Sequence, residues 1–375
     1  MEPSIYNFSL CTALPLMLFF GFYFLFAKTP EKKISKNYLR SRQMMGIAML
    51  LLSANYSVHF FFGIRFKNAD SAILMNMSTY FLCYSLFSSA LIMLLDRFYI
   101  TKRRVWTHII LWIVFSTLSG VVLFLLPSGI MQKISLFALA AWLVVFGVVL
   151  ARRVIIAYRR AIRIFNETQA DDIGAYIEWL SIFTYWAVIF GVGCGLLTFL
   201  PDKYVFIWIL SSIPFYSYLF YSYQNYLLFY EQVENAFEQD IQSDEELLTN
   251  SGIEPEMVSE EVPGSYTEFT EKVGNWIKTD GYVQQGLTIK ELSKILYTNR
   301  TYLSAYIKTT YKMTFREWIT SLRLEYAKNI LKKHPEINIQ KLAESSGFLS
   351  RSNFIKLFSE KEGCTPAKWK KANRE

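Results

Sequence analysis

Two clusters of polar and basic residues near the end of the chain have side chains that could bind a nucleic acid. Each cluster opens a short helical pattern of apolar residues, so its members lie at the start of a helix. Arginine, asparagine, serine and threonine hydrogen-bond base edges, and lysine pairs with phosphate. The candidate residues are Arg300, Thr301 and Ser304 in the first cluster and Arg351, Ser352, Asn353 and Lys356 in the second. These residue types predict contact with double-stranded DNA.

Other kinds of chemistry have little support in the sequence. None of the apolar runs long enough to cross a bilayer contains paired carboxylates, a Ser/His/Asp set or an HExxH motif. The cysteines show no CxxC or metal-ligand spacing, and three of the four lie in apolar runs, where cysteine acts as a small hydrophobe. They are Cys11, Cys83, Cys194 and Cys364. We expect no disulfide framework, no zinc site, no cofactor and no enzymatic activity.

The charge of the chain divides it into three zones. Residues 1–230 carry 19 Lys/Arg and 9 Asp/Glu, residues 231–264 carry 11 Asp/Glu and no base, and residues 265–375 carry 20 Lys/Arg and 11 Asp/Glu. The 375 residues are 53% hydrophobic and 17% aromatic, more apolar than a soluble protein of this size needs. The zones predict a polytopic membrane domain at 1–230, an acidic linker at 231–265 and a DNA-binding domain at 266–375.

The first zone contains seven apolar runs long enough to cross a bilayer. A spanning helix needs about 20 mostly apolar residues, because the hydrocarbon core is roughly 30 Å thick. The runs lie at about 5–27, 43–64, 72–95, 105–127, 132–151, 177–200 and 204–229. We therefore expect an all-α protein with about seven transmembrane helices.

The loops between these runs alternate in charge. The first, third and fifth carry 15 Lys/Arg in total, at 28–42, 96–104 and 152–165. The other loops carry four, Arg65, Lys67, Lys133 and Lys203. Basic loops stay on the cytoplasmic side of a membrane. The N-terminus is therefore expected outside, and everything after residue 230 inside, which predicts a multi-pass protein of the cytoplasmic membrane with a cytoplasmic C-terminal domain.

Few polar groups interrupt the apolar runs. His59 lies near the outer end of the second run and His108 near the inner end of the fourth, where water could reach both side chains. A ligand or switch role for His59 is the alternative to a solvated interface residue. The scarcity of polar groups at mid-membrane argues against an ion or proton path, and hence against a transporter.

The acidic zone has two features with more than one interpretation. Tyr230, Val233 or Glu234, Phe237 and Ile241 recur at helical steps and could pair two copies of the chain. Residues 242–265 are acidic, with two Pro and two Gly, and are typical of a flexible tether. The tether is either a spacer that holds the basic domain away from an anionic membrane or a weak mask of its phosphate-binding surface.

The basic zone contains two helix-turn-helix patterns. In the first, Thr288 and Glu291 form a capping box for a short helix whose apolar face is formed by Ile289, Leu292 and Ile295. Asn299 or Thr298 caps a second helix that should bury Tyr302, Leu303, Tyr306 and Ile307. In the second, Asn338 and Ser350 are the caps, Gly347 supplies the turn, and Phe354, Leu357 and Phe358 face inward. One long amphipathic helix, with Arg323 as a structural ion-pair partner, joins the two patterns.

These stretches carry a resemblance to a known family. "LTIKELSKIL", "NRTYLSAYIK", "TFREWITSLRLEYAKNIL", "INIQKLAESSGF", "SRSNFIKLF" and "GCTPAKWKK" resemble the DNA-binding domain of the AraC/XylS family of bacterial transcription regulators over residues 287–371. The resemblance implies that two recognition helices, near 299–308 and 350–359, enter successive major grooves. Lys312 stands where this family commonly has Gly, and Ala305 where a base-contacting side chain is common.

Two functions of different classes remain in view. The first is a membrane-embedded, sequence-specific transcription regulator that couples a signal sensed in or across the membrane to transcription. The second is a membrane transporter or receptor whose cytoplasmic helical domain docks protein rather than DNA. The expected partners of a regulator are double-stranded DNA, the lipid bilayer, a homodimer partner, RNA polymerase and an unidentified inducing ligand.

The loop charges make a prediction about orientation. A reporter that is active only in the cytoplasm should be active when fused after Arg163 and inactive when fused after Asp70. The matched pair of fusions controls for expression, since both are made in the same chain. The reverse pattern of activity would contradict the orientation and place the basic zone away from DNA.

Overall fold

The computed structural model describes residues 3–28, 36–96, 98–127, 129–171, 177–196, 204–228 and 263–372. The chain divides into two compact units, residues 1–161 with 177–230, and residues 162–176 with 231–375. Within the described ranges the regular elements are helices and none is a strand, which confirms the predicted all-α class. The acidic zone up to residue 262, with its pairing stripe and most of the tether, lies outside the described residues.

The described residues of the first unit form eight helices. They are α1 Pro3–Phe26, α2 Lys36–Phe62, α3 Ile64–Lys67, α4 Ala69–Leu95, α5 Lys102–Phe124, α6 Ile130–Thr168, α7 Trp179–Leu196 and α8 Val205–Leu228. Among the described helices six are long and apolar enough to cross a membrane, namely α1, α2, α4, α5, α6 and α8. The run at 177–200 forms α7, but its last residues are outside the described part of the chain. The count of seven spans therefore stays a prediction.

Helix α6 continues well beyond its apolar run. The expected loop at 152–165 is helical, and α6 ends only at Thr168. Hydropathy marks where a span leaves the lipid, whereas backbone hydrogen bonds continue wherever the residues favour a helix, as arginine and alanine do. The last turns of α6, from residue 162 onward, belong to the second unit.

The first unit presents apolar side chains outward. On α5, Trp106, Ile110, Ile113, Leu118 and Phe124 are all exposed. In water such a surface would favour aggregation, whereas in lipid it is the ordinary state of a spanning helix. Inside the bundle, glycine allows close approach: a Cβ built on Gly193 would lie 2.4 Å from the Trp208 ring.

The two histidines of the apolar helices have partners within the bundle. His59 is buried, so the expectation that water reaches it is wrong, and its Nε2 lies 2.9 Å from Asn76 Oδ1. His108 Nδ1 lies 2.6 Å from Ser85 Oγ. These side-chain pairs link α2 to α4 and α4 to α5, which favours a structural role over a switch.

The described residues of the second unit form seven further α-helices around two small cores. They are α9 Pro263–Lys278, α10 Ile289–Ile295, α11 Arg300–Tyr311, α12 Phe315–Lys333, α13 Ile339–Ser345, α14 Arg351–Glu362 and α15 Pro366–Ala372. The long helix α12 serves both cores. Its Trp318 and Ile319 pack in the first core with α9, α10 and α11. Its Leu324 and Leu331 pack in the second core with α13 and α14.

Most of the predicted inner faces are correct, with two exceptions. Leu303, Tyr306, Ile307, Phe354 and Phe358 are buried as expected. Tyr302 is 39% exposed and Ile295 is 48% exposed, although both were expected inside. Each lies at the border of the apolar stripe of a short helix, so only part of the side chain reaches the core. The Tyr302 ring still packs edge-on against Phe269, with centroids 5.0 Å apart.

The two helices that begin with the candidate DNA-binding residues end with a left-handed residue. Lys312 has φ 57° after α11, and Gly363 has φ 71° after α14. A left-handed conformation costs a residue with a Cβ about 1–2 kcal/mol, whereas glycine adopts it freely. Lys312 is therefore a site of backbone strain in the first helix-turn-helix, which glycine would not have.

This asymmetry predicts opposite effects of two reciprocal substitutions. Lys312→Gly should raise the free energy of unfolding of the second unit by about 0.5–1 kcal/mol, because relief of strain exceeds the added chain entropy. Gly363→Ala should lower it by about 1 kcal/mol, and since no atom lies within 4 Å of the added Cβ, the effect is conformational alone. Hydrogen exchange of the peptides spanning each helix measures both. Destabilisation by Lys312→Gly would contradict the strain argument.

Candidate nucleic-acid interface

Side-chain caps set where the two recognition helices begin. The Asn299 Oδ1 atom accepts a hydrogen bond from the Tyr302 amide at 2.8 Å, which starts α11. The Ser350 Oγ atom accepts one from the Asn353 amide at 3.2 Å, which starts α14. Both caps satisfy a free amide of the first turn, as the sequence predicted. The candidate residues therefore lie in the first two turns of two separate helices.

The helices that precede the recognition helices are capped in the same way. Thr288 and Glu291 form the predicted capping box before α10, with hydrogen bonds of 2.9 and 3.1 Å. Asn338 caps α13 through the Gln340 amide at 2.7 Å. A second capping box, between Thr314 and Glu317 at the start of α12, was not foreseen. Its Thr-x-x-Glu spacing in the sequence would have indicated it.

The candidate residues lie on accessible parts of these helices. Thr301, Arg351, Ser352 and Lys356 are exposed, and Arg300, Ser304 and Asn353 are half-buried. On the opposite side of α11, Leu303 and Ile307 are buried in the first core. On the opposite side of α14, Phe354 and Phe358 are buried in the second. Each helix therefore has an anchored face and a polar face available to a partner.

Gly347 brings the second helix-turn-helix against the first. Its φ is 83°, a conformation that glycine adopts without strain. A Cβ at this position would lie 2.4 Å from the Val283 carbonyl oxygen, in the 3₁₀ turn Gly281–Val283 before α10. The Gln285 Nε2 group also donates a hydrogen bond to the Phe348 carbonyl oxygen at 3.2 Å. The turn of one unit is thus packed on the entry segment of the other.

A buried arginine at the centre of α12 holds this junction. Arg323 is 1% exposed, and its guanidinium donates to the carbonyl oxygens of Tyr282 at 2.7 Å and Gln284 at 2.6 Å. It also pairs with the Asp171 carboxylate at 2.6 Å. Arg323 was predicted to be a structural ion-pair partner, and it is one. Its partner, Asp171, was not predicted. The sequence feature that could have indicated it is a pair of acidic residues, Asp171 and Asp172, shortly after the basic stretch at 152–165.

A second ion pair joins α12 to the end of α14. Lys328 Nζ lies 2.6 Å from Glu325 Oε1 and 3.1 Å from Glu362 Oε1. Burial lowers the pKa of Lys328, but hydrogen bonds and charge attraction from the two glutamates outweigh it, so that the pKa is raised. The lysine stays charged and fixes the C-terminal end of the second recognition helix.

The polar faces of α11 and α14 are suited to binding a nucleic acid. Over the described residues no group of three or more His, Cys, Asp or Glu side chains could hold a metal ion. The basic and amide side chains at the starts of α11 and α14 can donate hydrogen bonds to base edges and phosphates.

Comparisons with known proteins agree with this geometry. Residues 292–372 match a family model described as a helix-turn-helix domain, of the AraC type. Over 132 residues, 35% of the chain, the sequence is 27% identical to the protein named "Uncharacterized HTH-type transcriptional regulator YtdP" of Bacillus subtilis. Over 85 residues, 23% of the chain, it is 27% identical to "Uncharacterized HTH-type transcriptional regulator YijO" of Escherichia coli.

The similarity covers a limited part of each protein. The matched segments span 17% of YtdP and 30% of YijO. No solved structure matches the chain. The matched family is a transcription-regulator family rather than an enzyme family, as the sequence predicted. Residues 292–372 of this chain are an AraC-type helix-turn-helix domain, placed C-terminal to a region of long apolar helices.

Proposed function

We propose that the protein is a membrane-embedded, sequence-specific transcription regulator that couples a signal sensed in or across the bilayer to transcription. One observation carries the proposal: the described part of a single chain contains six helices long and apolar enough to cross a bilayer, together with a helix-turn-helix domain. Such a domain binds duplex DNA through a helix in the major groove. A transporter or receptor that docks a protein would have no need of this domain.

The DNA contacts are assigned to the starts of α11 and α14. Arg300, Thr301 and Ser304 read one major groove in this proposal, and Arg351, Ser352, Asn353 and Lys356 read the next. In this proposal Arg351 donates two hydrogen bonds to guanine O6 and N7, and Asn353 donates to adenine N7 and accepts from the adenine N6 amino group. Lys356, one turn further along α14, is placed to bind a backbone phosphate.

The membrane location rests on the exposed apolar surface of the first unit and on the loop charges. Lipid would cover the outward faces of helices such as α5. The excess of Lys and Arg in alternate loops supports a cytoplasmic second unit. Helix α6 runs from one unit into the other, so it is a covalent route for a signal in addition to the linker at 231–265. An inducing ligand, RNA polymerase and a second copy of the chain are proposed partners.

The proposal is tested with the full chain in lipid nanodiscs. Selection from a library of random duplexes should enrich one sequence with two boxes about one helical turn apart. Binding to that duplex should weaken steeply with salt, while its preference over scrambled DNA persists. Equal binding to all duplexes, or none at low salt, would contradict the proposal and favour a protein-docking role.

Substitutions at the second recognition helix provide a sharper prediction. Arg351→Ala or Asn353→Ala should each cost about 1–3 kcal/mol of binding free energy at the selected duplex and relax the base preference in one box. Glu360→Gln, an exposed change later on the same helix, is the matched control and should bind normally.

Loss of folding gives a different pattern and can be distinguished. Phe358→Ala removes a fully buried aromatic ring and should destabilise the second core by about 3–5 kcal/mol. It should reduce binding together with hydrogen-exchange protection of α14, whereas Arg351→Ala and Asn353→Ala should leave that protection intact. Unchanged base preference in both of these variants would rule out the assignment of α14 as a reader.

A further inference from the structure

We propose that Asp171 is a positioning residue for two-site DNA reading: through Arg323 it fixes the spacing between the two helix-turn-helix units. This inference rests on the proposed function. Asp171 lies outside the matched domain, three residues after the end of α6 and 152 positions from Arg323. The family model does not extend to Asp171, and the names of the two related proteins give this residue no role.

The segment that carries Asp171 is an integral part of the second unit. The Ala170 amide donates to the Leu287 carbonyl oxygen at 3.0 Å, and Gln169 forms an antiparallel bridge with Thr288. The Gly286 amide donates to Asp171 Oδ2 at 2.7 Å. Ala170 itself is buried in the first core. These contacts lie along the entry to α10 and hold the segment by its backbone.

Asp171 supplies the negative charge that a buried guanidinium needs. The side chain of Arg323 is 2% exposed and that of Asp171 is 5% exposed. A buried charge without its partner is strongly destabilising, whereas a paired charge with its remaining hydrogen bonds satisfied is tolerated. Asp171 therefore keeps Arg323 in a single position, between the carbonyl oxygens of Tyr282 and Gln284.

The same guanidinium also touches the second helix-turn-helix. A Cβ on Gly347 would lie 3.0 Å from Arg323 Nε, so the turn before α14 is packed directly on the arginine. The Phe348 ring centroid is 6.0 Å from Arg323 Cζ. Arg323 thus joins the entry of the first unit to the turn of the second, and its position determines how the two meet.

A fixed junction matters because the two recognition helices must reach grooves at a set distance. Successive major-groove faces are about 34 Å apart, and a rigid pair of readers accepts only that spacing. Two recognition helices joined by a flexible junction would still bind more tightly together than either helix alone, because they are tethered. They would, however, accept other spacings between the boxes. Asp171 would therefore determine which spacing between the two boxes the protein prefers, without changing base recognition within either box.

The segment also makes exposed contacts that serve as a matched control. Glu167 pairs with Lys308 at 2.9 Å, with half of the lysine side chain accessible to solvent. Exposed pairs of this kind contribute little. Glu167→Gln therefore changes the charge of the same segment without disturbing the buried junction.

The test uses the full chain in nanodiscs and the duplex selected with the wild-type protein. Three further duplexes are derived from it. Two of them each have one box scrambled, and the third has about five base pairs, half a helical turn, inserted between the boxes. Asp171→Asn preserves the size of the side chain but not its charge. In either orientation of the amide, its NH2 group points at a donor, the Arg323 guanidinium or the Gly286 amide.

We expect the wild type to bind the inserted duplex about 100-fold more weakly than the parent. Asp171→Asn should bind the parent and inserted duplexes within about threefold of each other, while its affinity for each single box stays within about threefold of wild type. Glu167→Gln should keep the full spacing preference. Gln285→Ala, which removes the hydrogen bond to Phe348 from an exposed position, should weaken the preference without affecting single-box binding.

Two results would overturn the proposal. A full spacing preference in Asp171→Asn would show that the ion pair does not set the junction. Loss of single-box binding in Asp171→Asn would show that Asp171 is needed for folding rather than for spacing. Failure of the proposed function itself is distinct, because the wild-type protein would then select no duplex at all.

Discussion

A guanidinium group with almost no access to water must be surrounded by oxygen atoms, and Arg323 meets this constraint with oxygen atoms from two places in the chain. Two carbonyl oxygens come from the entry of the first helix-turn-helix, and a carboxylate comes from the segment after α6. The turn of the second helix-turn-helix packs against the same side chain. The junction between the two helix-turn-helix units depends on this one buried charge, since removing a partner leaves the charge unsatisfied.

The first unit is governed by the opposite requirement, because its helices expose apolar side chains that water would not tolerate. Two of their polar groups are paired within the bundle, His59 with Asn76 and His108 with Ser85. A bundle of this kind suits a structural or sensing role better than transport, which usually needs ionisable groups at mid-depth. The chain therefore combines one part suited to lipid with one part suited to DNA, and α6 contributes residues to both units.

The helix-turn-helix units could be predicted from the sequence because their signals are local. Asn299 and Ser350 act within their own helices, and apolar residues at steps of three and four mark the buried faces. Border positions such as Tyr302 and Ile295 were mistaken, since periodicity alone does not give the width of a core. The end of α6 was also misplaced, because hydropathy reports the edge of the lipid and not the end of a helix.

The link between Asp171 and Arg323 could not be predicted from the sequence. The two residues are 152 positions apart, and an aspartate in a polar loop has no local feature that distinguishes a buried partner from a solvated one. The left-handed conformation of Lys312 could be anticipated only from the resemblance, which placed a glycine there. The structure therefore adds most where a contact joins distant parts of the chain.

Genomic footprinting of the tagged full-length protein in intact cells tests the central claim most directly. The account predicts a small set of protected sites, each with two boxes about one helical turn apart, recovered with the membrane fraction. Protection should disappear when Arg351 and Asn353 are replaced together by alanine. The absence of protected sites, or protection that survives this double substitution, would contradict the account.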